Sequence, residues 1–197
     1  MKRIAHISDT HIRNLKYHRE YNHVFKEIYD SLKQEQPDYI VHTGDLAHTK
    51  TQLSPEYFEM ASNFLKNLAD IAPTIIILGN HDARLEKQLR SRLTQDMVNA
   101  LSLMTGGVLC PITALTKRFN NITIAKHVVP NTGLTVDWFT TVGKDCLVLH
   151  AEKFSKVPGS ALRAVEEWVE DNRLALGLDQ YRLICLAHTH QLSKFPW

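Results

Sequence analysis

Apolar runs of strand length, each closing in a short loop that carries His, Asp or Asn, set the tightest limit on how this chain can fold. Ile4 to Ile7 leads into Asp9-Thr10-His11, and Tyr39 to Val41 into Gly44-Asp45-Leu46-Ala47-His48. Ile75 to Leu78 leads into Gly79-Asn80-His81-Asp82, Leu147 to Leu149 into His150, and Leu183 to Leu186 into His188-Thr189-His190. Side chains at strand ends, and in the loops just after them, converge at one rim of an α/β sheet. Carboxylates, an amide and several imidazoles gathered at such a rim are poor packing material. They suit two divalent metals, which take mixed nitrogen and oxygen ligands.

The elements between these loops alternate in the first half. Strand 3–7 precedes a helix over about 18–35, with Tyr21, Phe25, Ile28, Tyr29 and Leu32 at helical spacing. Pro37-Asp38 ends it and strand 39–42 follows. Ser54-Pro55-Glu56 opens a second helix, with Ser as N-cap, Pro at the first helical position and an acid in the first turn. That helix turns Tyr57, Phe58, Ala61, Phe64, Leu65 and Leu68 inward and stops before Pro73, and strand 74–78 follows. This βαβαβ rhythm implies a parallel sheet with right-handed crossovers.

The second half changes character. Short β-type runs at about 107–110, 121–129 and 134–140 predict a second, partly antiparallel sheet packed on the first. Strand 146–149 then precedes His150, a helix opens at Pro158-Gly159-Ser160 and runs to about 173, and strand 182–186 delivers His188 and His190. No repeat, low-complexity stretch or linker interrupts residues 1–197, so a single α/β domain is expected.

Composition narrows the class. With 44% hydrophobic and 22% charged residues the chain can bury a core, and a net charge of +2 gives no independent case for nucleic acid. Eleven His residues exceed ordinary usage. Three Cys (Cys110, Cys146, Cys185) fit neither a zinc ribbon nor a disulfide framework and are expected as buried free thiols in a reducing compartment. No signal peptide is apparent and no apolar run approaches the roughly 20 residues of a membrane helix, so a cytoplasmic protein without membrane contact is expected.

Two ions about 3.5–4 Å apart can polarise one phosphate and share a hydroxide nucleophile, with a carboxylate between them. Asp45 is the natural bridge, because Gly44 lets the backbone turn sharply. Asp9 and His11 lie two apart on one side of an extended segment and suit one ion; His188 and His190 can each take a different ion.

In this order, from Asp9 to His190, the motifs resemble those of the calcineurin-like metallophosphoesterase superfamily. The resemblance implies two packed mixed β-sheets, a sandwich flanked by helices, with two metals at its rim. By matching position, Asp9, His11, Asp45 and His190 look like ligands of one metal, and Asp45, Asn80, His150 and His188 of the other. His81 would face the phosphate and assist the leaving group, and Asp82 would orient its ring. Ile4-Ala5-His6-Ile7-Ser8-Asp9-Thr10-His11 and the Gly44–His48 loop are most similar to the SbcD-type DNA-repair nuclease subunit, expected here without its C-terminal capping region. His48 matches a His near the substrate phosphate in that group. The resemblance implies a manganese-dependent exo- and endonuclease acting on DNA in repair or recombination, with iron or zinc as alternative metals. An SMC-like ATPase of the SbcC type is the implied partner, and a homodimer is possible. Ala187 stands where the family usually has Gly, and the stretch from Lys156 to Arg163 looks more like small phage phosphoesterases.

Other residues have blander expectations. Arg84, Lys87, Arg90 and Arg92 make the region after Asn80-His81 basic, either as phosphate contacts or as a solvated helix face balanced by Asp82 and Glu86. Arg163 and Lys156 carry the same two readings, and Arg84 and Arg163 are the candidate substrate contacts. His6 and His42 are expected to hydrogen-bond site residues, whereas His18, His23 and His127 are expected to be structural. Trp138 and Trp168 are expected in the core. Two alternatives to a nuclease remain: a metallophosphoesterase for nucleotides, cyclic nucleotides or phosphoproteins, and a metal-poor scaffold that should have lost ligands.

Overall fold

The computed structural model describes residues 2–49, 53–84, 119–136, 138–143, 146–152, 154, 157–177 and 183–188. In chain order the elements are β1 (Ile4–Ile7), α1 (His18–Glu35), β2 (Tyr39–His42), α2 (Pro55–Ile71), β3 (Thr74–Ile76) and β4 (Ile122–Ile124). There follow β5 (His127–Val128), β6 (Thr135–Val136), β7 (Phe139–Val142), β8 (Cys146–His150), α3 (Pro158–Leu176) and β9 (Leu183–Ala187).

The first sheet has the order β1-β2-β3-β4, and its pairings are all parallel, as the βαβαβ rhythm requires. The second, β7-β8-β9, is mixed: β8 runs antiparallel to β7 and parallel to β9. Period-two alternation then builds four layers. In β2, Ile40 joins the core under α1 and α2, whereas Val41 faces the other sheet. In β8, Leu147 and Leu149 pack against α3, whereas Cys146 and Val148 meet Val41, Ile77 and Cys185 between the sheets. Helices thus cover both outer faces of a β-sandwich, in agreement with the expected fold class.

Helix formation follows the expected chemistry. Ser54 caps α2 by accepting the Tyr57 N–H at 3.2 Å, and its own hydroxyl donates to the Asn14 carbonyl at 2.9 Å. Tyr57, Phe64, Leu65 and Leu68 are fully buried, and Phe64 lies 4.3 Å, ring to ring, from Phe25 of α1. Loss of a Phe side chain from such a position costs about 3–5 kcal/mol. Phe58 departs from expectation: it is 37% exposed, because one step along a helix turns it about 100° away from Tyr57. Val165 and Val169 bury one stripe of α3, which ends at Gly177 in the left-handed conformation.

Strand pairing also corrects two expectations. The run at 121–129 divides, so that β4 joins the first sheet while β5 pairs with β6 in a separate ribbon. The run at 134–140 divides likewise, between β6 and β7. Strand 107–110 and Cys110 lie outside the described residues. The sulfurs of Cys146 and Cys185 are buried and lie 3.9 Å apart. No helix among the described residues is long and apolar enough to cross a membrane.

Candidate metal centre

The polar loops are extensions of the parallel ladder. Beyond β1 and β2, Asp9 N–H donates to the Gly44 carbonyl at 3.2 Å, His11 N–H to Asp45 at 3.0 Å and Ile12 N–H to Leu46 at 2.8 Å. These bonds hold the two loops side by side although their backbones are strained. Asp9, His11, Asp45 and His188 all have positive φ, between 46° and 84°, which costs a non-glycine residue roughly 1–3 kcal/mol each. Strain concentrated on four metal-ligand candidates is a mark of function. Gly44 has φ +91°, and a Cβ there would lie 2.6 Å from Gly79 Cα. Its role is therefore close approach of the two loops as well as a sharp turn. A Cβ on Gly79 would overlap the Asp45 carboxylate.

Asp45 is the hub. It is 1% exposed; its Oδ1 accepts the His81 backbone N–H at 2.8 Å, and its Oδ2 accepts no hydrogen bond among the described residues. Around Oδ2 stand three imidazole nitrogens: His11 Nε2 at 3.6 Å, His150 Nε2 at 3.6 Å and His81 Nε2 at 3.9 Å. Two groups able to hold an ion result, His11–Asp45–His81 and Asp45–His150–His188, and they share Asp45. Asp9 Oδ1 lies 3.9 Å from His11 Nε2, and Asn80 Oδ1 lies 3.1 Å from His150 Nε2. Ligands about 2.1 Å from one ion at right angles lie about 3 Å apart, so a modest contraction around a cation brings these atoms into range. A buried carboxylate oxygen with no donor, ringed by nitrogens, is the chemistry of a bridging ligand, and the residues fit a pair of divalent metals.

Neighbouring groups fix the rings. His150 donates from Nδ1 to the Thr43 carbonyl at 2.8 Å, which leaves Nε2 as the ligand atom. His81 donates from Nδ1 to the His48 carbonyl at 2.7 Å and aims Nε2 at the hub. The His48 ring sits 5.6 Å from that of His11 and 6.2 Å from that of His81. His6 Nε2 donates to Thr43 Oγ1 at 2.8 Å. His42 is fully buried; its Nδ1 accepts the Gly44 N–H at 3.3 Å, so its Nε2 carries the proton and faces Thr10 Oγ1 at 3.3 Å. Burial pushes its pKa down to about 3, which keeps the ring neutral. Burial, then His150, also lowers the pKa of His188, which favours the ligand form.

The structure gathers Asp9, His11, Asp45, His48, Asn80, His81, His150 and His188 at the rim. His190 lies outside the described residues, as do Lys87, Arg90, Arg92 and Lys156. Three expectations change. Asp82 does not reach the His81 ring, whose Nδ1 is taken by His48; its buried carboxylate accepts the N–H groups of Gly79 at 3.1 Å, Ala47 at 3.2 Å and Leu46 at 3.4 Å. Burial, then the charge of Asp45, raises its pKa to about 7 despite those three donors. Arg84 pairs with Glu152 at 3.0 Å on the surface, so its guanidinium is engaged by a carboxylate. Arg163 is exposed on α3, and no hydrogen bond or ion pair among the described residues joins it to the centre. Sequence reasoning missed Thr43 and Tyr21, whose hydroxyl donates to the His11 carbonyl at 2.6 Å. Neither carries a sequence signal, since one acts through its backbone and the other looks like an amphipathic-helix residue.

Comparison with known proteins decides the family: residues 2–192 match the model of the calcineurin-like phosphoesterases. The chain belongs to that family. An uncharacterized protein of Acanthamoeba polyphaga mimivirus is 48% identical over 93 residues, 46% of this chain and 7% of that protein. A protein of Invertebrate iridescent virus 6 that carries a phosphoesterase name is 28% identical over 137 residues, 66% of this chain and 45% of the viral one. The DNA double-strand break repair protein Mre11 of Saccharolobus solfataricus is 33% identical over 88 residues, 42% of this chain and 23% of that protein. The chain therefore spans less than half the length of each of these relatives. The family is one of phosphoesterases that use divalent metals, and in this chain two His–Asp groups could hold such an ion.

Proposed function

We propose that this calcineurin-like phosphoesterase hydrolyses phosphodiester bonds of DNA, with manganese as its working metal and an SMC-type ATPase as the class of partner. The observation that carries the hydrolytic part is Asp45 Oδ2, shared by the two metal-holding groups. Similarity to the Mre11 repair protein, together with His48 beside His11 and His81, supports DNA as the substrate.

When bound, the metal pair supplies Lewis-acid activation of the phosphate and of the attacking water. The chain's own groups do the rest. Asp45, with His11 on one side and His150 and His188 on the other, fixes where the phosphate sits. His81, its Nδ1 committed to the His48 carbonyl, has Nε2 available to hold a proton for the departing oxygen. His48 lines the same side and positions the phosphate. Asp82 keeps the Asp45 and Asn80 loops at a fixed spacing through its three backbone donors.

The test is manganese-dependent cleavage of end-labelled DNA, single-stranded and linear duplex, beside an aryl phosphodiester. Cleavage of DNA that a chelator abolishes supports the proposal. Turnover of the aryl ester alone refutes DNA as substrate and directs attention to nucleotides, cyclic nucleotides or phosphoproteins.

A further inference from the structure

The loop that follows His11 carries an aromatic side chain where the fold has no use for one. Tyr17 is the N-cap of α1, with φ 64° and ψ 22°, and makes no side-chain capping bond. Ser, Thr, Asp, Asn or Gly ordinarily fills an N-cap, and a bulky residue at positive φ is strained. Burial does not compensate, because Tyr17 is 57% exposed and Leu15, two residues earlier, is 72% exposed. A strained and exposed ring presents its face to a partner outside the fold.

The loop is nevertheless held firmly against the metal centre. His18 donates a ring N–H to the Arg13 carbonyl at 2.8 Å, and Asn14 makes two bonds to Ser54. One residue, Tyr21, spans both ends: its N–H donates to the Tyr17 carbonyl at 2.8 Å and its hydroxyl to the His11 carbonyl at 2.6 Å. The backbone carbonyls of Tyr17 and His11 are thus linked through the one residue Tyr21. The Arg13 guanidinium lies 5.6 Å from the Tyr17 ring centre, a cation–π pair. Charge adds direction. Between Asp9 and Glu20 the chain carries Arg13, Lys16 and Arg19 and no carboxylate.

An exposed aromatic flanked by cations, beside a phosphodiester centre, has the chemistry of a single-strand binding platform: the ring takes a base face and the cations take phosphates. We propose that Tyr17 stacks the base of the nucleotide next to the scissile phosphate, with Arg13, Lys16 and Arg19 on the backbone. The preferred substrate is then a DNA strand whose terminal bases are unpaired. This rests on the nuclease reading above and narrows it. A paired base offers no free face to Tyr17, so flush duplex ends must fray before they are cut.

The experiment uses end-labelled single-stranded oligonucleotides, intact and with one abasic position moved along the strand in turn. The proteins are the wild type, Tyr17→Asn and Tyr17→Phe, each loaded with manganese. Removal of the critical base is expected to raise the wild-type KM about ten-fold, with kcat little changed. Tyr17→Asn should show that raised KM on intact DNA and no further sensitivity to the abasic position. Tyr17→Phe should restore both the low KM and the sensitivity. Asn suits a left-handed N-cap, so a thermal melt of Tyr17→Asn at or above that of the wild type excludes unfolding as the cause. A base-removal penalty equal in the wild type and in Tyr17→Asn overturns the stacking site while leaving the nuclease intact. Aryl phosphodiester turnover without cleavage of any oligonucleotide overturns the nuclease reading and this one with it.

Discussion

His150 Nε2 lies 3.1 Å from Asn80 Oδ1, and two lone pairs face one another across that gap. The proton of the ring sits on the other nitrogen, bound to the Thr43 carbonyl at 2.8 Å. Asp45 Oδ2 stands 3.6 Å from the same Nε2. Three acceptors converging without a donor repel each other, and a cation between them reverses the sign. A divalent ion at about one hundred times its dissociation constant should therefore raise the melting temperature by about 5–10 °C. Asn80→Ala and His150→Ala should each weaken that shift and the second binding event in calorimetry. An unchanged melt with manganese, iron and zinc alike would exclude a metal centre here.

Asp45→Asn separates function from stability. The carboxylate is buried, and Oδ2 accepts no hydrogen bond among the described residues, so without metal its charge is uncompensated. Neutralising it should leave the metal-free protein as stable as the wild type or more so, by up to about 2 kcal/mol. Metal-dependent phosphodiester turnover should fall at least about 100-fold, because one oxygen serves both groups. Denaturant midpoints in chelator and initial rates in manganese read the two effects. Retained turnover would remove Asp45 as the bridge.

The strand-end loops were legible in the sequence because an apolar run followed by His, Asp or Asn is a local pattern. So was the Ser54 cap, which depends on residues three apart. Pairings that join distant segments were not. β4 enters the first sheet because Ile122 to Ile124 find Thr74 to Ile76, and no local pattern distinguishes that run from an edge of the second sheet. Asp82 was misread for the same reason: its neighbour in sequence is His81, but its donors at Leu46 and Ala47 come from another loop. Tyr17 was overlooked because an aromatic just ahead of a helix looks like core until its exposure is known.

Asp82→Asn should loosen both ligand loops at once. Oδ2 accepts from Gly79 and Leu46 and Oδ1 from Ala47, so an amide must turn an N–H against a backbone N–H on one side. The expected cost is about 1–3 kcal/mol of stability and about 10–100-fold in metal affinity. An Asp that instead served the His81 ring would lower kcat and leave metal affinity alone. Calorimetric titration of the variant with manganese distinguishes these outcomes.

His42 should make the metal-free protein acid-sensitive. The ring is fully buried and burial holds its pKa near 3, far below the value of about 6.5 expected for the unfolded chain. Below that unfolded value the unfolded chain binds a proton that the folded chain refuses. Stability from this group is therefore complete above about pH 6.5 and falls by up to about 1.4 kcal/mol per unit as pH drops toward 3. His6 is shifted in the same direction and adds to the slope. His42→Asn keeps an acceptor for the Gly44 N–H but cannot titrate. It should start less stable at pH 7, having lost the contact with Thr10 and the packing against Phe64 at 6.2 Å. Between pH 7 and pH 5 it should then lose about 2 kcal/mol less than the wild type. Urea midpoints at the two pH values, in chelator, measure both. Parallel losses in the two proteins would mean that His42 takes up its proton in the folded state and is not the neutral pin of the Gly44 turn.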